Sequence, residues 1–161
     1  MTATKAARFS VHAVAAIVGS FIAGFVVTEM IHPSGTANFW FDTPYGPSFW
    51  GTALVFGFCL NLAMNDNSAK WVWTVGLLWM AIWCGVTLTE YSPQWTHGRS
   101  LGQELWSEYF SYWHCTEECL GQMFVTTPAI DTVTYSLGAA MASILRKHLV
   151  TSGQWRSELP Q

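Results

Sequence analysis

FSVHAVAAIVGSFIAGFVVTEMI, residues 9–31, is the run on which the fold turns: across 23 positions only His12 and Glu29 are strongly polar. A helix of about 20 apolar residues crosses the hydrocarbon core of a bilayer. The run is too long for the core of a cleavable signal and lacks a small-x-small cleavage site after it, so it reads as a retained signal anchor. Gly19 and Ala23, overlapped by Ser20 and Gly24, form a small-xxx-small stripe that lets another helix approach closely.

Composition extends the membrane reading to the whole chain. Only 11% of residues are charged, against about a quarter in an ordinary soluble domain. Ten Trp suit the boundary between hydrocarbon and water. A net charge of -3 gives no footprint for nucleic acid.

Outward from the first run, residues 32–46 form a Pro-, Gly- and aromatic-rich loop, and Pro47 begins a second span, 47–64. Trp40, Tyr45, Phe49 and Trp50 form an aromatic belt at its entrance. A short polar turn, 65–70, makes spans two and three antiparallel neighbours. The third span, 71–88, carries Trp79 and Trp83 four apart on one face. That pair packs within the bundle, or lines a hydrophobic pocket for a quinone, pigment or lipid tail. A fourth span, 128–149, opens on Thr127 and Pro128 as cap and first position. Gly138 and Ala142 thin its surface for close helix contact.

The fold expected is therefore all-α: a single four-helix transmembrane bundle. Six basic residues (Lys5, Arg8, Lys70, Arg146, Lys147 and Arg156) fall on one side and Arg99 alone on the other. The positive-inside rule then places both termini in the cytoplasm of a bacterial inner membrane.

Between spans three and four lies a polar and aromatic excursion, 89–127, facing outward. Within it 101–115 sorts into two faces: Leu105, Trp106, Tyr109, Tyr112 and Trp113 on one, and Glu104, Ser107, Glu108, Ser111, His114 and Cys115 on the other. This is the pattern of an interfacial amphipathic helix, aromatic side down, ending near Cys115. Facing an oxidising compartment, Cys115 and Cys119 are placed for a disulfide that pins the turn into the fourth span. The alternative is a zinc or copper site drawn from His114, Cys115, Glu118 and Cys119, with His97 as a further ligand from the loop. No metal or other cofactor is favoured.

Asp131 falls in the first turn of its helix, where the dipole favours a carboxylate, and Glu29 falls at the outer end of span one. Both are expected near the outer interface, with His12 near the inner end facing headgroups or a neighbouring helix, so no proton path through mid-membrane is expected. Asn61 is placed to hydrogen-bond between helices. No phosphate-cradling loop, serine nucleophile elbow or haem-attachment pair appears. The function that fits is non-enzymatic: an accessory or structural subunit that lies in the lipid bilayer and meets other membrane subunits, or a second copy, through small-residue helix faces. The rival is a thiol-redox or metal-handling protein working through His114, Cys115 and Cys119.

Overall fold

The computed structural model of the chain describes residues 3–31, 46–92, 98–110 and 122–151. Among them the chain is all-helical. Its elements are α1 (Ala3–Val14), a π-helical turn (Ala15–Gly19), α2 (Ser20–Ile31), α3 (Pro47–Met64), a 3-10 turn (Ala69–Trp71), α4 (Trp73–Glu90), α5 (Leu101–Tyr109), a second π-helical turn (Gln122–Thr126) and α6 (Thr127–Thr151). Among the described residues three stretches are long and apolar enough to cross a membrane: Thr4–Ile31, Pro47–Met64 and Ala69–Glu90.

The fourth long helix, α6, is more polar because it is the central post. Asp131, Thr132, Tyr135, Ser136, Ala139 and Ala142 are all buried. Over residues 127–144 the stripe of Val133, Leu137, Met141 and Ile144 stands clear, four residues apart and then three, as one face of a helix requires; towards its end Leu145 and Val150 are exposed too. Elsewhere the usual polarity is inverted. Ile22, Phe25, Val55, Leu78 and Ile82 are exposed while His12, Ser20 and Asn61 are buried, a distribution compatible with a membrane protein.

Glycines set the helix spacing. Gly57 presses on the backbone of Tyr135, and Gly138 on the carbonyl of Leu54, so closely that a Cβ on either would overlap main-chain atoms. Gly57 meets Tyr135, Asn61 meets Ala139, and Asn65 meets Arg146, so α3 and α6 run parallel. On the opposite flank Gly76 sits against Ala129 and Thr132 and Trp79 reaches Phe124, so α4 runs antiparallel to α6. Gly19 faces Phe56 and Gly24 faces Phe49, making α2 antiparallel to α3.

The π-helical turn has a specific effect. His12, Ala16, Ser20 and Gly24 are buried at a constant spacing of four. In a straight α-helix such a stripe drifts by about 40° per step. The wider turn between Ala15 and Gly19 takes up part of that drift, and the Ser20 hydroxyl donates to the Ala15 carbonyl across it at 3.2 Å.

α5 is shorter than its amphipathic pattern suggests. Ser100 and Gln103 form a capping box at its start, satisfying amides that the first turn leaves free. It ends at Tyr109 rather than near Cys115, because the Thr126 hydroxyl takes the Tyr109 carbonyl at 2.6 Å and Phe110 departs from helical geometry. Tyr109 is buried, but Trp106 is 62% exposed. At 100° per residue Trp106 stands off the Leu101, Leu105 and Tyr109 stripe, and it stacks on Phe110 with centroids 5.6 Å apart. Trp106 therefore lies off the face by which Tyr109 packs into the bundle.

Candidate functional site: a buried histidine, tyrosine and aspartate

Lys5, Arg8, Lys70, Arg146 and Lys147 lie on the elements that meet at one end of the bundle, and the polar groups beneath this basic end form a connected set. Asn61, in the last turn of α3, donates to the Ala139 carbonyl at 2.5 Å and to the Ser143 hydroxyl at 2.9 Å. Its side-chain oxygen accepts the Asp66 amide at 3.1 Å. Asn65 ends α3 in the left-handed region, φ 49°, a conformation that Asn tolerates. Arg146 then closes over the helix end, donating to the Leu62 carbonyl at 2.8 Å, to the Asn61 carbonyl and to the Asn65 side chain. A guanidinium on terminal carbonyls satisfies orphan acceptors and complements the helix dipole.

The turn fixed in this way aims Asp66 into the bundle. The Ser68 amide donates to Asp66 Oδ1 at 2.9 Å, and Asp66 Oδ2 lies 3.8 Å from His12 Nε2. Burial pushes the Asp66 carboxyl up, but the Ser68 donors, His12 and Arg8 together outweigh it and hold the group below its ordinary value. The other ring nitrogen, His12 Nδ1, is 2.6 Å from the Tyr135 hydroxyl. A carboxylate opposite Nε2 favours the tautomer with hydrogen on that atom. Nδ1 then accepts from Tyr135.

His12 and Tyr135 are both fully buried. Tyr135 is held where α3 and α6 touch backbone to backbone at Gly57, and His12 comes from the helix across the bundle. One turn along α6 from Tyr135, towards the other end, Asp131 is 1% exposed. Neither of its carboxyl oxygens has a hydrogen-bond partner. A cleft of about 430 Å³ opens at the basic end, lined by Asn65, Asp66, Asn67, Ser143, Arg146, Lys147 and Val150. Asp66 thus stands between this cleft and His12.

Several residues singled out in the sequence lie elsewhere. Trp79 and Trp83 pack edge to face with centroids 5.8 Å apart, and the Trp79 indole donates to the Phe124 carbonyl at 2.7 Å. Gly19, Gly138 and Ala142 meet neighbours within the chain; Ala23 is half-buried. Glu29 is exposed at the end of α2. Cys59 is exposed and Cys84 half-buried, both as free thiols. His97, His114, Cys115, Glu118 and Cys119 lie outside the described residues, and with them the proposed disulfide and metal set. Among the described residues no three His, Cys, Asp or Glu side chains converge as metal ligands.

Of the two surroundings expected for His12, headgroups or a neighbouring helix, the structure gives the second: it is sealed against α6 and the turn after α3. Asp131 lies near the start of α6 and is enclosed by the neighbouring helices. Tyr135 and Asp66 were not marked by the sequence at all. The available signal was the four-residue spacing of Asp131, Tyr135, Ala139 and Ser143 along one helix, which lays a polar stripe facing inward.

Comparisons with protein-family models, curated proteins and solved structures find no match to this chain.

Proposed function

We propose that the chain is a small polytopic protein of a bacterial inner membrane, four helices deep with both termini in the cytoplasm, acting as a non-enzymatic subunit of a larger membrane assembly. Supporting the four traverses are the alternating helix directions and the gathering of basic residues at one end, which the positive-inside rule makes cytoplasmic. The subunit reading rests on α4. Within α4 only Gly76 is buried, Trp79 and Trp83 are 40% and 37% exposed, and nothing lies within 4 Å of where a Gly85 Cβ would stand. A helix with small and aromatic residues on an uncovered face is one on which another membrane helix packs. At the opposite end from Asp66, the Trp106 and Phe110 stack offers a second apolar surface.

Photo-crosslinking from Leu78 and Ile82 in native membranes tests this. A discrete adduct, with a second polypeptide or a second copy, supports it. A monodisperse monomer with only lipid adducts at both positions counts against it.

A further inference from the structure

We propose that Asp131 is a proton-binding site inside the bundle, and that Tyr135 and His12 connect it to Asp66 at the basic end. The inference rests on the membrane placement proposed above but not on the subunit role.

Four observations carry it. First, Asp131 is 1% exposed and both oxygens lack donors, and no Lys, Arg or His among the described residues pairs with it. A carboxyl in that setting is stable when it carries a proton, and ionisable groups at such depth commonly mark proton relays. Secondly, Tyr135 follows four residues later on the same buried face, about 6 Å along the helix axis, and the proposed link between the two side chains runs through a bridging water. Thirdly, the Tyr135 hydroxyl is 2.6 Å from His12 Nδ1. Fourthly, His12 Nε2 has no hydrogen-bond partner and faces Asp66 Oδ2 at 3.8 Å, beside the cleft at the basic end.

The charged and titratable groups around this line come from three elements. α6 supplies Asp131 and Tyr135, the turn after α3 supplies Asp66, and α1 supplies His12 with Arg8, whose charge acts on Asp66. Where α3 and α4 approach this part of α6 they offer Gly57 and Gly76, which cannot titrate.

The transfer balances. Asp131 gives its proton to the bridging water, which passes one to the Tyr135 oxygen as Tyr135 gives its own to His12 Nδ1, and His12 releases the Nε2 proton to Asp66. The result is an Asp131 carboxylate, a neutral tyrosine, a neutral histidine of the other tautomer and a protonated Asp66; the reverse sequence restores the start. Net, one proton moves between the buried carboxyl and the basic end, and no electron moves.

Infrared spectroscopy of the full chain in phosphatidylcholine vesicles tests this. The expected result is a protonated carboxylic C=O band at neutral pH that is lost in Asp131→Asn and shifts promptly on transfer to deuterated water. In Tyr135→Phe and His12→Gln the band persists but its exchange slows. A band unaffected by Asp131→Asn, no such band at all, or exchange as fast in both relay variants as in the parent would overturn the proposal. Should Asp131→Asn not fold, Tyr135→Phe keeps the carboxyl and decides alone. The α4 crosslinks are read separately, so failure of either idea leaves the other standing.

Discussion

His12 Nδ1 and the Tyr135 hydroxyl meet at 2.6 Å across 123 positions of sequence, with both side chains fully buried. The bond ties the first helix to the last. Tyr135→Phe removes the hydroxyl and leaves a buried ring nitrogen unsatisfied, at a cost of about 1–3 kcal/mol. Thermal unfolding in mild detergent should show a clear drop in midpoint. An unchanged midpoint would mean that the pair contributes nothing to the fold.

Glycine contacts give a graded prediction. Gly57→Ala and Gly138→Ala place a methyl against main chain that cannot yield, and overpacking of this kind costs about 1–3 kcal/mol or more. Gly51→Ala and Gly85→Ala meet nothing within 4 Å and should be neutral or stabilising, since alanine favours the helix by up to about 1 kcal/mol. Equal effects at all four positions would refute the close approach of α3 and α6.

Acid should loosen the basic end. The folded Asp66 carboxyl is held below its ordinary value of 3.8, so its contribution is present above that pH and is lost as pH falls through the lower folded value. Asp66→Asn should flatten stability in this window while leaving neutral-pH folding intact. Unfolding midpoints measured across the acid limb for parent and variant check the sign.

Alkali should loosen α5. The Tyr109 hydroxyl contacts Thr87 at 2.6 Å and donates to the Trp83 carbonyl at 3.2 Å. Burial pushes it above the usual phenol value; the Thr87 bond opposes this, and Glu108, Cys84 and Glu90 add to it. Its contribution is therefore full below pH about 10 and lost as pH rises through the folded value. Tyr109→Phe should cost about 1 kcal/mol and raise protease cleavage around Arg99 at neutral pH.

Helix existence was legible because apolar runs such as 9–31 and 47–64 leave no other reading, whereas the Ser100 and Gln103 capping box that starts α5 went unread. The polar interior was not legible. A single His or Tyr in an apolar helix has no period of its own, so nothing local shows that His12 pairs with Tyr135 or that Asp131 is enclosed. The π-helical turn at Ala15–Gly19 changes which residues share a face, and no local residue type announces it. For α5, amphipathicity predicted a longer helix because the Thr126 hydroxyl that takes the Tyr109 carbonyl comes from 17 residues away.

The measurement that tests the account most directly is side-specific labelling of single cysteines in a cysteine-free background, using a membrane-impermeant maleimide on right-side-out and inverted vesicles. Cysteines at Lys5, Lys70 and Lys147 are predicted to label from the cytoplasmic side only, and those at Glu90 and Glu108 from the opposite side only. Lys70 and Lys147 labelling from opposite sides, or every position labelling from both, would contradict four alternating traverses with α6 at their centre.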